Sequence, residues 1–178
     1  MLDDKLVFVN VGDSRAILSR KHGADISICS YDHKPQFFSE MQRIFKQGGH
    51  LYRVCNNKMT HETEVYHASN HQEFLQIDRI PDESDERVFG PWRVKPGGLS
   101  VSRTFGDIES KLKEFGSQPG IVVAEPEVTV FSYTDDLDYV FLGCDGIFDA
   151  LTNEEVNQII WETINHYKTT KSKHSNAY

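Results

Sequence analysis

The sequence predicts an α+β fold in which antiparallel strands are layered with amphipathic helices. Two observations carry that expectation. Successive apolar, β-branched runs near the start are separated by turns of a few residues, too short for a crossover helix, so the strands run antiparallel. Two other stretches, Phe37 to Phe45 and Val156 to Tyr167, place apolar residues at helical spacing.

Leu6 to Val11 is mostly apolar, the composition of a strand buried on both faces. Gly12-Asp13-Ser14 turns the chain into a second strand, Arg15 to Ser19. Lys21-His22-Gly23 then leads into a third, Asp25 to Cys29, where Ile26 and Ile28 alternate with polar neighbours. Together the three read as a meander. Pro35 opens a helix over Gln36 to Gln47, where its missing N–H costs nothing. Phe37, Phe38, Met41, Ile44 and Phe45 form its apolar stripe, and Gly48-Gly49 end it.

From residue 51 to residue 92 the periodicity dissolves. NNKMTHETEVYHASNHQEF has no clear period and PDESDER is a charged loop, so 51–92 reads as an insertion with a short helix or hairpin of its own. Order returns at Arg93. Gly97-Gly98 is a tight turn, and no Lys-Ser or Lys-Thr helix follows to make it a phosphate cradle. Glu127–Phe131 and Tyr139–Cys144 are two further strands joined by an acidic turn at Asp135-Asp136. Thr152 and Glu155 form a capping box. It opens a helix over Asn153 to Tyr167 with Val156, Ile159, Ile160, Ile164 and Tyr167 on one face. Residues 168–178 form a polar, frayed tail. The whole chain, 1–178, is expected to be a single domain without internal repeats.

The formal net charge of -8 argues against a nucleic-acid partner held through its phosphates. No apolar run approaches the roughly 18 residues of a membrane span. Three cysteines, Cys29, Cys55 and Cys144, cannot all pair and read as free thiols of a reducing compartment, cytoplasmic or nuclear. Cys144 is expected inside a buried strand. A thiol nucleophile there is disfavoured because CDGIFD places acids where a phosphate would have to bind. His61, His67 and His71 fit no ligand spacing and read as loop residues.

Asp13 and Asp145 each follow an apolar strand, and Asp149 lies four residues beyond Asp145 in the turn before a helix. If the two strands are neighbours, the three carboxylates meet at one sheet edge. Three such groups repel unless a cation offsets them, and oxygen-only donors suit Mg²⁺, Mn²⁺ or Ca²⁺. Taken singly, Asp13 and Asp145 read as turn formers in Gly-Asp-Ser and Asp-Gly sequences.

The surrounding motifs favour the metal reading. NVGDSRA at Asn10 to Ala16, DHKP at Asp32 to Pro35, and Glu40, Arg43, Gly48 and Gly49 in the following helix occur in that order. LSVSRTFGD at Leu99 to Asp107, EPEV at Glu125 to Val128 and CDGIFD at Cys144 to Asp149 follow. This series resembles the metal-dependent protein serine/threonine phosphatases of type 2C. The resemblance implies an antiparallel β-sandwich flanked by helices in α-β-β-α layers, here incomplete. It also implies a Mg²⁺ or Mn²⁺ centre and phosphorylated protein substrates.

Carried over residue by residue, Asp145 resembles the family's shared metal ligand, Gly146 its partner, and Asp13 and Asp149 the ligands of an additional metal position. Arg103 and Asp107 resemble a site-supporting pair; the alternative for Arg103 is a buried salt bridge. The family's Asp-Gly-His-Gly-Gly motif, its phosphate-binding arginine and its late Asp-Asn motif are absent. The chain therefore resembles the middle and later portion of a phosphatase domain. Two functions follow as expectations: a phosphatase segment lacking part of its active site, or a catalytically silent phosphatase-like domain that binds partners.

Overall fold

The computed structural model describes residues 4–78 and 86–175. Its strands are β1 (Lys5–Asn10), β2 (Arg15–Arg20), β3 (Asp25–Ile28), β4 (His50–Asn57), β5 (Thr63–Ala68), β6 (Arg87–Phe89), β7 (Arg93–Lys95), β8 (Glu127–Ser132) and β9 (Leu137–Gly143). The helices are α1 (Phe38–Lys46), α2 (His71–Ile77), α3 (Asp145–Phe148) and α4 (Asn153–Ser175). The chain divides into two compact units, residues 1–32 with 127–178, and residues 33–126. All pairings between these strands are antiparallel. No helix among the described residues is long and apolar enough to cross a membrane.

The first unit is a two-layer sandwich. One layer is the ribbon β1–β8; the other is β3–β2–β9. Between them Leu6, Phe8 and Phe131 of the ribbon pack on Ala16, Leu18 and Cys29, with the Phe8 and Phe131 rings edge-on at 5.8 Å. Burial raises the Cys29 thiol to about 11, with Arg20 opposing, so it stays protonated at neutral pH.

The expected three-strand meander does not form. β1 pairs with β8, not β2, because Gly12-Asp13-Ser14 carries the chain from one layer to the other instead of closing a hairpin. Nor is β1 buried on both faces. Val7 and Val9 lie directly across from Val130 and Val128, and the four valines are 42–64% exposed on the ribbon's outer face.

Helix α4 covers the outer face of the other layer. Its capping box is reciprocal: the Glu155 N–H donates to Thr152 Oγ1 at 3.1 Å and the Thr152 N–H to Glu155 Oε2 at 2.7 Å. The buried side of α4 keeps Val156, Ile160 and Ile164 of the predicted stripe but not Ile159 or Tyr167. Val156 and Asn157 are buried and Ile160, Trp161 and Ile164 half-buried, whereas Ile159 and Tyr167 are exposed. Two polar residues anchor the helix: Asn157 accepts from the Tyr139 hydroxyl at 2.6 Å and donates to the Gly23 carbonyl at 3.1 Å. Trp161 lies beside Ser19. The helix also runs on to Ser175, through most of the stretch read as a frayed tail.

The β2–β3 turn illustrates how tightly this face is built. Lys21, His22 and Gly23 all have positive φ, and the His22 and Gly23 N–H groups both donate to the Asp138 carboxylate, at 3.1 and 3.0 Å. A Cβ on Gly23 would lie 2.4 Å from Trp161 Nε1. Gly23→Ala therefore combines left-handed strain with a clash, and the expected loss is about 1–3 kcal/mol in a urea titration. A loss within experimental error would mean that Trp161 swings aside freely.

The second unit holds the helix expected over Gln36–Gln47 and the segment read as an insertion. Pro35 is buried in a turn three residues ahead of α1 instead of opening it. Met41 and Ile44 of α1 join Leu51, Ala68, Phe74, Trp92, Val94, Ile121 and Val122 in one core. Phe37 and Phe38, placed in its predicted stripe, are exposed. The helix ends as predicted, with the Gly48 N–H on Phe45 O and the Gly49 N–H on Ile44 O, both at 3.0 Å.

β4 is flanked by β5 on one edge and by β6 and β7 on the other. Its inward residues are Leu51, Arg53 and Cys55. Arg53 hides the strand's alternation from sequence reasoning. The guanidinium lies 3.8 Å from the Phe89 ring centroid and 5.1 Å from that of Trp92, and it donates to Asp78 at 3.4 Å. Asn70 caps α2 by accepting from the Glu73 N–H at 2.9 Å, and α2 buries Phe74 against Trp92. Segment 51–92 thus contains a hairpin and a short helix as expected, but it contributes core residues instead of a polar excursion. Of the charged loop PDESDER, Pro81 to Asp85 lie outside the described residues.

Candidate functional site

The register of β2 on β9 organises the site. Arg15 pairs with Gly143, so the turn leading into β2 and the residues leaving β9 emerge at the same end of the sheet. The first carries Asp13; the second carries Cys144, Asp145, Gly146 and Asp149. From the sequence, the meeting of the carboxylates was conditional on the strand before Asp13 lying beside the strand before Asp145. The strand before Asp13, β1, is in the other layer, and the approach is made through β2 instead.

The Gly12–Ser14 turn is held by Asn10, whose Nδ2 donates to the Gly12 carbonyl at 3.3 Å and the Tyr31 carbonyl at 2.9 Å. Asp13 is half-buried there. Asp145 opens the single-turn helix α3, its Oδ1 accepts from the Gly146 N–H at 2.8 Å, and the Asp149 N–H closes the turn on Asp145 O at 2.8 Å. Asp145, Gly146 and Asp149 are exposed. So is Cys144, which leaves β9 one residue early and is not the buried strand cysteine that was expected.

Three carboxylates at one sheet end are hard donors of the kind Mg²⁺ and Mn²⁺ take. Yet among the described residues no three His, Cys, Asp or Glu side chains are gathered closely enough to hold an ion. The donor type fits a hard cation; the number assembled by this chain alone does not make a closed set. The histidines expected to be loop residues are dispersed: His61 in the β4–β5 turn, His67 on β5 and His71 at the start of α2.

Arg15 is the residue most tightly woven into this end. Its Nε and Nη2 donate to the two oxygens of buried Asp32 at 3.0 and 2.9 Å, and Nη1 donates to Asn153 Oδ1 at 2.9 Å. Its guanidinium lies 4.6 Å from the Phe148 ring centroid. The Asp32 hydrogen bonds raise its pKa against the effect of burial, and the charges of Asp32 and Asp149 add to the rise. A 320 Å³ cavity opens beside it, lined by Phe8, Asn10, Ser14, Leu142 and Cys144 among others.

Arg103 and Asp107 lie in the second unit. Arg103 fits the alternative given for it, a buried salt bridge: Nη2 donates to Glu40 Oε1 at 2.6 Å and Nε to Oε2 at 3.1 Å, while Nη1 reaches the Glu125 carbonyl. Glu40 is 2% exposed. It also accepts from Ser102 Oγ and Arg43 Nη2, both at 2.5 Å, and Arg43 ties the Gly120 and Ile121 carbonyls at 2.7 Å. Burial pushes the Glu40 carboxyl up. Hydrogen bonds from Arg103 and Ser102, then the charge and hydrogen bond of Arg43, outweigh it and hold the pKa at about 2. Asp107 is exposed at φ 46° and its carbonyl accepts from Ser110 N–H.

Sequence reasoning assigned no role to Arg15, Asp32 or Glu40. The first two stood inside quoted motifs, and an inward Glu on α1, followed at helical spacing by Arg43, was the available signal for the third.

The fold these units build is found in solved phosphatases. A phosphatase from a pathogenic strain of Toxoplasma gondii matches with a TM-score of 0.62 at 24% identity, covering 92% of this chain and 39% of that one. A sex-determining protein of C. elegans matches at 0.58 and 19% identity, covering 88% and 28%. The class is therefore a mixed fold with antiparallel sheets shared with type 2C phosphatases. The Protein phosphatase 2C family model matches residues 1–177, and the chain belongs to that family. Probable protein phosphatase 2C 60 of Arabidopsis thaliana is 33% identical over 164 residues, 91% of this chain and 34% of its own length. Probable protein phosphatase 2C 58 of Oryza sativa subsp. japonica is 29% identical over 92% of this chain and 33% of its length. The chain spans about a third of the length of the curated relatives it matches.

Proposed function

We propose that this chain is a segment of a metal-dependent protein serine/threonine phosphatase domain, elaborated over residues 51–92, that contributes Asp145, Gly146, Asp13 and Asp149 to a Mg²⁺ or Mn²⁺ centre acting on phosphoserine or phosphothreonine in protein substrates. The observation supporting it is the β2–β9 register, which brings these four residues to one sheet end in a chain of this family. A divalent ion, when bound, would lower the pKa of water and offset phosphoryl charge. The chain's own part is to present carboxylate oxygens from two turns, with Asp145 and Asp149 spaced by one helical turn and Asp13 fixed by the Asn10 bonds. The family resemblance gives Arg103 and Asp107 a supporting role, and within the second unit Arg103 pairs with Glu40. The acidic charge disfavours nucleic acid, and the free cysteines support a reducing, cytoplasmic or nuclear setting.

A second reading is supported by two observations. Among the described residues no three ligating side chains are gathered, and an apolar valine face is open on β1–β8. Both suit a silent, partner-binding domain. The isolated chain is expected to hydrolyse p-nitrophenyl phosphate or a phosphothreonine peptide at background, even in millimolar Mn²⁺, because only part of the donor set is present. Robust Mn²⁺-dependent turnover that disappears in Asp145→Ala would contradict the partial-site account.

A further inference from the structure

We infer that Arg15 is the positioning residue of the candidate site, fastening the α3 turn that carries Asp145 and Asp149 to the strand whose leading turn carries Asp13. The inference rests on the functional reading above for what the site does, but its geometry stands independently.

α3 is a single turn of four residues with no side-chain bond at its N-cap. A helix this short does not hold itself together. What holds it is Phe148, whose ring meets Phe141 edge-on at 6.1 Å on one side and the Arg15 guanidinium at 4.6 Å on another. The same guanidinium grips Asn153, the first residue of α4, so it restrains the chain on both sides of Asp149. It is itself locked by the two-pronged pair with Asp32, whose side chain is 5% exposed.

Each of the three guanidinium nitrogens donates inside the unit. Arg15 is therefore a brace, not an open anion site. The role needs a planar fork that pairs with a carboxylate and stacks on a ring at once, which lysine cannot supply although it keeps the charge.

The test is hydrogen exchange on the 178-residue chain and its Arg15→Lys variant, read at the Phe148, Asp149 and Leu151 amides that close the α3 turn. In Arg15→Lys these are expected to exchange about tenfold faster or more, while the paired amides of β1 and β8 keep their rates. Phe148→Leu leaves the Arg15–Asp32 pair intact and removes the ring from both Arg15 and Phe141. It should give the same local loss, and it stands in if Arg15→Lys folds poorly. Unchanged α3 exchange, or acceleration spread evenly over the unit, would overturn the inference. A parallel titration with Mn²⁺ separates it from the functional reading. In the wild type, Asp13 and Asp149 amide signals should broaden together, and in Arg15→Lys separately. If Mn²⁺ broadens neither in the wild type, the metal reading fails while the exchange result still decides the role of Arg15.

Discussion

Arg103→Ala is expected to cost about 3 kcal/mol or more of the second unit's stability, because it strips a carboxylate that has no route to water. Among the described residues Glu40 Oε1 accepts hydrogen bonds only from Arg103, while Arg43 and Ser102 both serve Oε2. Removing the guanidinium leaves one oxygen of a 2%-exposed carboxylate without a donor. Arg103→Lys should recover little, since a single ammonium cannot span both oxygens. The double replacement Glu40→Leu with Arg103→Met should recover a large part of the loss, because a buried pair is more costly to break than to replace with packing. A single-variant loss below about 1 kcal/mol in urea would show that water or a neighbour reaches Oε1.

The same cluster sets an acid limit. Glu40 has a folded pKa of about 2, below the ordinary value of about 4.3. Its contribution is fully present above the unfolded value and is lost as pH falls through the folded one. Stability of the second unit should therefore decline from about pH 4.3 towards 2, and Arg103→Ala should show a shallower decline because part of the depression is gone.

Much of this architecture was legible in the residues. Strand and helix positions in the sandwich followed from apolar runs and turn signals, and the Thr152–Glu155 box closed as written. The partition into layers was not legible. A three-residue turn reads as a hairpin whether the chain returns to the same sheet or steps to the facing one, and only the long-range pairing of β1 with β8 decides it. β4 was hidden because Arg53 takes an inward position against Phe89, Trp92 and Asp78, partners that lie 25 to 39 residues further along the chain. The α4 stripe was only partly right because its buried face is also anchored by Asn157 and Trp161, polar contacts that a count of aliphatic residues passes over.

In the candidate site, the motifs supplied the carboxylates, and the register of β2 on β9 brings them to one sheet end. The connecting geometry was out of reach: Asp13 arrives through β2, and the brace between its turn and α3 is Arg15, whose role depends on partners 17, 133 and 138 positions away.

The claim that this segment supplies working ligands to a phosphatase is tested most directly by transplanting it. A chimera would carry this chain in place of the matching third of Probable protein phosphatase 2C 60, with folding verified by a cooperative thermal transition. The account predicts Mn²⁺-dependent hydrolysis of a phosphothreonine peptide that falls to background in Asp145→Ala without loss of the transition. A folded chimera with no turnover, or one whose turnover survives Asp145→Ala, would contradict it.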